Sequence, residues 1–410
     1  MAAISYDFLF KNGHVIDPAN GIDRMADVAV SDGKIARVER DIPPGGVKII
    51  DAAGMYVVPG IIDIHAHVYT LEPFGGNLSI DADTHLIKSG VTTAVDAGTT
   101  GWHHFPKFLE HVIEKSKIRI LAYLNIANKG MVEWGAEQVY ANMQAEVAAE
   151  VAAAHPEVVV GIKAAHYWPG PKPFDADHPP WASTDKAIEA ARLCGLHAMI
   201  DFQPNLPECP YEDLILKKMR SGDIHTHVFA TQFPTVDANG RVYAHMREAR
   251  SRGVYFDLGH GAGSFWFRNG VRALLDGFPP DTLSTDIHTG SIRGAVLDMA
   301  HVMSKFLNMG MSLNEVIMRS TAMPAKLINR PALGSLSVGG EADVAVFQML
   351  SGDFGFIDCG RAKIKGDRML ECAMTMRGGE ILYDGRGLSM PEWKDAPEAY
   401  WKSPYRGDAR

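Results

Sequence analysis

The chain has 410 residues, of which 46% are hydrophobic and 22% are charged, and its formal net charge at pH 7 is −9. This length suits one large domain with a smaller one, and the acidic balance argues against nucleic acid as a partner. Four cysteines without C-x-x-C spacing indicate neither a disulfide framework nor a thiolate zinc site. The first residues read as a strand and not as a signal peptide, and no apolar run reaches the ~18 residues that cross a bilayer. We therefore expect a cytoplasmic protein without a membrane partner.

Short strands are predicted at both ends of the chain. Before residue 57, β-branched residues surround turn signals in three segments, YDFLFKNGHVID, ADVAVSDGKIARVE and VKIIDAAGMYVV. After about residue 335 the same pattern returns in ADVAVFQM and LECAMTMRGGEILYDG. We expect residues 1–56 and 336–388 to form one small composite β-sandwich domain. Residues 389–410 show no period, and we expect a tail that lies on the surface or reaches a neighbouring subunit.

The middle of the chain alternates strand-like and helix-like segments, which predicts a parallel sheet with helices outside it. Two helix-like stretches are EQVYANMQAEVAAEVAAA and DKAIEAARLC. Together with the segment VVPGIIDIHAHVY, eight candidate strands occur in roughly 270 residues, which matches a (β/α)8 TIM barrel. We expect this barrel to span residues 57–335. The other seven strands are TTAVDAG, IRILAYLNI, VVVGIKAA, HAMIDFQ, IHTHVFA, YFDLG and LSTDIH.

The first of these strands ends in two histidines, His65 and His67. Side chains two residues apart in a strand share a face, and their backbone positions are roughly 7 Å apart, so the two imidazoles can converge on one metal ion. The alternative is a pair of polar residues at the point where the strand leaves the core. The ends of the other strands help to decide between these interpretations.

In a (β/α)8 barrel the active site lies at the carboxyl ends of the strands. Five of the predicted strands end in groups that bind metals or transfer protons, which packing alone does not explain. Besides His65 and His67, these groups are Lys163, Asp201, His225, His227, Asp286 and His288. His225 is predicted to share a face with His227 but to lie deeper, as a packed, hydrogen-bonded core histidine. His288 lies past its strand, where it is either solvated or in contact with a substrate.

Lys163 requires a separate explanation, because an ammonium has no lone pair and repels a metal ion. A salt bridge to a carboxylate is one explanation. The other is conversion by carbon dioxide into a carbamate, an anion whose two oxygens can bridge two metal ions. Composition and spacing do not decide between the two.

Several motifs together resemble the metal-dependent amidohydrolase superfamily along nearly the whole chain. PGIIDIHAHV is similar to the first-strand signature of that family, and IIDAAGMYVVPG to the pattern of its N-terminal β-domain. SGVTTAVDAGTTG, VVGIKAA and STDIH resemble the segments with the second-strand motif, the carbamylated lysine and the general-base aspartate. DLGHGAGSF and MSKFLNMGMSLNEVI resemble, more narrowly, the dihydroorotase-like amidohydrolase/deacetylase branch.

The resemblance implies a role for each matching residue. His65 and His67 look like ligands of the more buried metal ion, and His227 matches a ligand of the second. Lys163, as a carbamate, would bridge the two ions. Asp286 would bind the first ion and act as the catalytic residue that shuttles the proton. The implied cofactor is two Zn²⁺ ions, with Mn²⁺ as an alternative.

One position departs from the pattern of the family. Its fifth strand usually ends in a metal-binding histidine, but Asp201 stands at the matching place in this chain. The nearest histidine, His197, lies at the other end of the strand, roughly 13 Å away. Either Asp201 is itself a metal ligand, since carboxylates bind zinc at about 2.0–2.2 Å, or the second ion is held poorly or not at all.

These residues predict a metal-dependent hydrolase that cleaves an amide, of the cyclic or N-acyl amino acid type, or an acyl ester. A metal ion lowers the pKa of a bound water from about 15.7 to about 7, and the resulting hydroxide attacks the carbonyl while Asp286 transfers the proton. The alternative is a metal-poor, non-catalytic structural or assembly homologue, which the departure at Asp201 favours. We expect a small-molecule substrate and a homo-oligomer.

Three further residues are predicted to bind the substrate. His260 in DLGHG resembles a loop position near the substrate of the family. Bulky loop residues, Trp168 and Phe265 among them, favour a pocket for an aromatic or apolar group. The alternative for Trp168 and Phe265 is that they pack the loops onto the barrel rim.

Overall fold

A computed structural model describes residues 6–72, 78–133, 135–168, 174–201 and 205–402. The strands are β1 Phe8–Asp17, β2 Ile22–Ser31, β3 Lys34–Glu39, β4 Lys48–Asp51, β5 Tyr56–Pro59, β6 Ile61–Ala66, β7 Val91–Gly101, β8 Arg119–Asn125, β9 Val159–Ala164, β10 His197–Ile200, β11 Ile224–His225, β12 Tyr255–Phe256, β13 Val344–Ile357, β14 Lys363–Arg377 and β15 Glu380–Asp384.

The α-helices are α1 Ala82–His85, α2 Phe105–Phe108, α3 Ala145–Ala154, α4 Ala182–Leu193, α5 Tyr211–Asp213, α6 Ala244–Ser251, α7 Phe267–Leu275, α8 Met299–Asn308, α9 Leu313–Ser320, α10 Ala322–Leu327 and α11 Glu398–Trp401. π-helical turns at Leu109–Ile113 and Leu214–Lys218 continue α2 and α5. Short 3-10 turns lie at Pro18–Asn20, Ile87–Ser89, Ala136–Gln138, Tyr140–Asn142, Pro331–Gly334 and Trp393–Asp395.

One sheet combines strands from both ends of the chain, in the order β15-β14-β13-β5-β1-β2-β3, with β4 paired to β1. Strand β5 joins the two ends, because it pairs with β1 on one side and with β13 on the other. Valine side chains of β1, β2, β5 and β13 and methionine side chains of β14 pack in one buried cluster. This sheet is the small β-domain that was predicted from both ends of the chain. The limits predicted for it, at residues 56, 336 and 388, stay a prediction.

The second sheet is parallel and contains β6 to β12 in chain order. Residues 282–287 occupy the eighth place, because Thr282 pairs with Asp257 after β12 and Ile287 pairs with Ala66 of β6. These two bridges close the sheet into a ring. The fold class predicted from the sequence, a (β/α)8 barrel with a small β-domain, is confirmed.

The segment VVPGIIDIHAHVY, which was predicted to be one barrel strand, is divided between the two sheets. β5 ends at Pro59 in the β-domain, and β6 begins at Ile61 in the barrel. Gly60 lies between them, and a Cβ atom at this position would be 2.1 Å from Thr92 Oγ1 of β7. Hydrophobic periodicity does not reveal this division, because both strands are apolar and largely buried.

The first of the two predicted helices is shorter than its sequence pattern. The prediction covers residues 137–154, but α3 begins at Ala145. The residues before it form two 3-10 turns, in which Asn142 Nδ2 donates to the carbonyl oxygen of Ala136 at 3.0 Å. The turns direct the Glu137 side chain into the protein, where it is buried. The second predicted helix lies within α4, apart from its last residue.

Within the described ranges, no helix combines the length and the apolar character that a membrane span requires. The predicted tail includes the short helix α11. Its described residues from Pro391 onwards are mostly exposed. Residues 403–410, which belong to the same predicted tail, lie outside the described residues.

An ion pair joins the barrel to the β-domain. Arg119, at the start of β8, places Nη1 2.7 Å from Oδ2 of Asp343, directly before β13. Asp343 is 2% exposed, and its Oδ1 also accepts the backbone N–H of Gly378. Arg119 donates in addition to Thr93 Oγ1 of β7 and pairs with Glu341. The loss of Asp343 would therefore remove the acceptor of Gly378 and one of the acceptors of Arg119.

We expect Asp343→Ala to lower the free energy of unfolding by about 2 kcal/mol, because hydrogen bonds from Arg119 and Gly378 to a charged group are lost. Asp353→Ala, at an exposed position of β13, is the matched control and should change stability by less than about 0.5 kcal/mol. Chemical denaturation followed by circular dichroism measures both variants. Equal stability of the two would show that the ion pair does not contribute.

Candidate active site

The six residues predicted to be metal ligands meet at the carboxyl ends of the barrel strands. They are His65 on β6, Lys163 on β9, and His67, Asp201, His227 and Asp286 just beyond strand ends, with exposed fractions of 0–8%. Two sets of three could each hold a metal ion, because their ligand atoms lie within 4.8 Å of one another. One set is His65, His67 and Asp286, and the other is His65, Asp201 and His227.

Hydrogen bonds hold the imidazole of His65 in one orientation. Its Nδ1 lies 2.9 Å from Thr226 Oγ1 and 3.3 Å from Asp257 Oδ2. The Thr226 hydroxyl donates to Asp257 at 2.7 Å, so Thr226 must accept from His65. The proton of His65 is therefore on Nδ1, and Nε2 directs a lone pair into the site. Burial and the nearby Lys163 lower the pKa of His65 to about 4, so the ring is neutral.

His67 and His227 are oriented in the same way. His67 Nδ1 lies 2.7 Å from Thr99 Oγ1, and the Thr99 hydroxyl donates to Asp96 at 2.8 Å. His227 Nδ1 donates to the carbonyl oxygen of Gly259 at 2.7 Å. With Nδ1 engaged, a neutral ring presents the lone pair of Nε2 on the opposite side. All three histidines thus direct Nε2 into the site.

Each of two carboxylates faces one of these Nε2 atoms. His67 Nε2 is 3.1 Å from Asp286 Oδ1, and His227 Nε2 is 3.0 Å from Asp201 Oδ1. Asp201 Oδ1 is buried, and His227 Nε2 is its ion-pair partner. Burial opposes the charge of both carboxylates, yet the imidazoles hold the pKa of Asp286 and of Asp201 below the usual value. A proton on Nε2 makes each contact an ion pair, and a metal ion can take the place of that proton, so this donor set fits a metal ion.

Lys163 is fully buried beside both sets. Its Nζ lies 3.0 Å from Asp201 Oδ2, 3.4 Å from His65 Nε2 and 3.7 Å from Met199 Sδ. Gly98, with φ of +82°, leaves room for this side chain, since a Cβ there would lie 2.6 Å from Lys163 Cγ. The unmodified lysine therefore forms the carboxylate salt bridge that was one of the two explanations for it.

Two of the site residues have a left-handed backbone conformation, which L-residues rarely adopt. The φ angle is +61° at His227 and +46° at Asp286. Glycines allow the neighbouring loop to approach them closely. A Cβ on Gly259 would lie 2.7 Å from His227 Nδ1, and one on Gly261 would lie 2.2 Å from Asp286 Oδ2. The motif DLGHG is therefore a steric requirement of the site.

The structure corrects the prediction for His225. Strand alternation placed it on the same face as His227, but its ring packs outside the barrel against Tyr211 and Phe233. Thr226 points into the site, so His225 points away from it. His227 returns to the site only because its positive φ breaks the alternation. Burial lowers the pKa of His225 to about 3, and the ring is a neutral part of the core. The predicted hydrogen bond is wrong, because neither ring nitrogen has a partner among the described residues.

A cavity of about 200 Å³ opens onto the candidate ligands. His166 and His288 are part of its described wall, together with Leu78 and Ser264. His288 Nδ1 accepts the backbone N–H of Gly290 at 3.1 Å, so the neutral ring carries its proton on Nε2. Of the two roles predicted for His288, this position favours contact with a substrate.

The three residues predicted to bind the substrate are not among the described residues that line this cavity. His260 is buried, and its Nε2 lies 2.8 Å from Lys305 Nζ. Phe265 is buried too, with its ring 4.7 Å from that of His260. Trp168 is 38% exposed, and its ring lies 5.6 Å from that of His166. Their role in substrate binding stays a prediction.

Sequence reasoning missed the residues that orient the histidines. Thr99, Thr226, Asp96 and Asp257 hold His67 and His65 from behind. Asp63, two residues before His65, accepts from the Thr285 hydroxyl and so ties the first barrel strand to the eighth strand segment. The signal was present, since a polar residue inside an apolar strand needs a partner, but its partner cannot be read from one strand.

A comparison with models of protein families found no match. Among curated proteins, a deacetylase of Brucella anthropi is 29% identical over 374 residues, which cover 89% of each chain. A crystal structure of an adenine deaminase matches with a TM-score of 0.82 and 26% identity, over 93% of this chain and 100% of that one. A crystal structure of a dihydroorotase matches with a TM-score of 0.78 and 26% identity, over 92% and 99%.

The chain belongs to the amidohydrolase superfamily. Within it, the chain is a metal-dependent hydrolase that acts on a carbon–nitrogen bond, as was predicted. Its donor set is complete enough to hold metal, and no observation on the site favours the non-catalytic alternative for this amidohydrolase.

We expect Gly261→Ala to slow hydrolysis about hundredfold, because the added methyl group displaces the Asp286 carboxylate by an ångström or more. Gly263→Ala is the matched control, since Gly263 lines the same cavity but its Cβ would meet no atom within 4 Å. Steady-state rates and metal content of both variants test this. Similar rates for the two glycine variants would contradict the steric argument.

Proposed function

We propose that this amidohydrolase uses two divalent metal ions to remove an acyl group from an amide nitrogen, as in an N-acyl amino acid. The observation that carries the proposal is the pair of ligand sets that share His65 and open onto one cavity. The relative of Brucella anthropi, which matches along most of the chain, is named a deacetylase. That name supports an acyl group as the part released.

One metal ion would be held by His65, His67 and Asp286, and the other by Asp201 and His227. Imidazole and carboxylate ligands suit zinc, and manganese is the alternative because it favours oxygen ligands. Asp201 would take the place of the histidine that is usual in the family. The 3.0 Å approach of its Oδ1 to His227 Nε2 supports this role.

Lys163 would bridge the two metal ions as a carbamate. Its Nζ lies next to His65, which both sets share, and next to Asp201 of the second set. An ammonium at this place would repel two divalent cations, and it has no lone pair to bind them. A carbamate would supply an anion with two oxygens. The salt bridge of the unmodified lysine to Asp201 would then be replaced by contacts through the metal.

When bound, the metal ions acidify a water molecule and polarise the amide carbonyl. Asp286, whose low pKa keeps it ionised, accepts the proton of the attacking water. The acceptor is Oδ2, because Oδ1 faces His67. Asp286 then returns the proton to the leaving nitrogen. His288 donates from Nε2 to the substrate in the cavity and keeps it in place.

A hydrolysis screen over N-acyl amino acids, cyclic imides and aryl esters tests the proposed function, with metal content measured on the same sample. We expect turnover of N-acyl amino acids, two metal ions per chain, and loss of activity on chelation that Zn²⁺ or Mn²⁺ reverses. Turnover of cyclic imides or esters alone would reassign the substrate. Full activity of metal-free protein would contradict the proposal.

We expect Asp201→Ala to retain one metal ion and lose the other, because only the second set contains Asp201. Asp201→His is the matched variant: it restores the ligand usual in the family and should keep two ions, with a stronger preference for zinc over manganese. Metal analysis of both proteins is the measurement. An anomalous-scattering map of metal-replete crystals with no ion within about 3 Å of the Asp201 carboxylate would reject its ligand role.

The remaining predicted properties follow the proposed activity. A small-molecule substrate agrees with the enzymes that the chain resembles. Assembly as a homo-oligomer, a cytoplasmic location, and the absence of nucleic acid and membrane partners stay predictions.

A further inference from the structure

His166 stands at the wall of the active-site cavity without belonging to either ligand set. It follows β9, three residues after Lys163, and lines the same cavity as Asp201 and Asp286. Its Nδ1 lies 3.2 Å from Glu137 Oε2. This ion pair lies at the site, and neither metal binding nor proton transfer uses it.

Glu137 is a buried carboxylate, which is costly unless its charge is balanced. It is 8% exposed, and His166 is its partner among the ion pairs of the described residues. Asn125 Nδ2 donates to Glu137 Oε1 at 2.7 Å and to the carbonyl oxygen of Gly98 at 2.9 Å. The backbone N–H of Ala127 donates in turn to Asn125 Oδ1. Glu137 is therefore held firmly, and its negative charge faces the imidazole of His166.

The backbone on both sides of His166 is held as well. Gln138 Nε2 donates to the His166 carbonyl oxygen, and Gln138 Oε1 accepts the N–H of Trp168 at 3.2 Å. The ring of Trp168 meets the ring of His166 edge to face at 5.6 Å. Trp168, which was predicted to bind the substrate, is thus in contact with a residue of the cavity wall.

The charge of Glu137 favours the imidazolium form of His166. Burial alone would lower the pKa of His166, but the hydrogen bond and the charge of Glu137 raise it. Among the described residues that line the cavity, none is a lysine or an arginine. His166 is therefore the wall residue best suited to face an anionic group.

We propose that His166 is a specificity residue that binds a carboxylate of the substrate, so that the enzyme acts on acylated compounds with an anionic group near the scissile amide. This inference rests on the proposed deacylase function and narrows it to acidic substrates such as N-acyl amino acids. Glu137 is a positioning residue, because it acts on the substrate only through His166.

Two neutral analogues separate charge recognition from a general structural role. The probes for binding are phenylacetate and 2-phenylacetamide, titrated calorimetrically into metal-loaded protein. The probes for hydrolysis are N-acetylalanine and N-acetylalaninamide. The variants are His166→Gln and Glu137→Gln. The matched control is His103→Gln, since His103 is an exposed histidine that is not among the described cavity residues.

We expect His166→Gln to weaken phenylacetate binding about tenfold to a hundredfold, as for the loss of one hydrogen bond to a charged group, and to raise the KM for N-acetylalanine by a similar factor. The two neutral amides should change less than about threefold. Glu137→Gln should act in the same direction with a smaller effect. His103→Gln should leave the two dissociation constants and the two KM values unchanged. Metal content should stay the same in every variant.

The inference is overturned if His166→Gln weakens acid and amide equally or loses metal, because His166 would then support the site only structurally. Turnover of amides without any preference for the acid would leave the proposed function intact and reject this inference. Acid binding that depends on His166, without turnover of any amide, would support this inference and reject the proposed function.

Discussion

Imidazole nitrogens and carboxylates that face one another in a buried site are the constraint on which this protein depends. Nε2 of His67 and of His227 each lie about 3 Å from a carboxylate oxygen, an arrangement that a proton on the imidazole or a metal ion in its place must balance. The hydrogen bonds behind the rings keep the histidines from turning away. Thr99 and Thr226 each donate to an aspartate, so each has only its lone pairs to offer an imidazole N–H.

The same constraint explains the unusual backbone around the site. His227 and Asp286 have positive φ angles, which cost of order 1–3 kcal/mol each and persist only where the surrounding structure imposes them. Gly259 and Gly261 let the adjoining loop approach to a distance at which any Cβ atom would clash. The closed ring of parallel strands supplies the rigidity that holds this strain, and the Arg119–Asp343 ion pair ties that ring to the β-domain.

Selectivity and chemistry are carried by different parts of the cavity. The ligand sets come from strand ends, whose positions are set by the barrel. The ion pair of His166 and Glu137 comes from the loop after β9 and from 3-10 turns between β8 and α3. Loops can change without disturbing the barrel, so the group that this pair recognises can differ between relatives that keep the metal centre.

Several properties of this protein were determined by the sequence itself. Alternation of strands and helices predicted the barrel, and the positions of His65, Lys163, Asp201, His227 and Asp286 at strand ends predicted that they would meet. Such predictions succeed because strand period and barrel topology are local rules applied to one segment at a time. The resemblance to the superfamily then supplied roles that spacing could not.

Tertiary structure alone decided the rest. The positive φ of His227 turned its ring to the face opposite that of His225, and the chain passes from one sheet to the other at Gly60, close to Thr92. Burial of Glu137 against Asn125 turned part of a helical pattern into 3-10 turns and placed a charge behind His166. Each depends on an atom from a distant segment, and a periodic pattern carries no information about which distant segment that is.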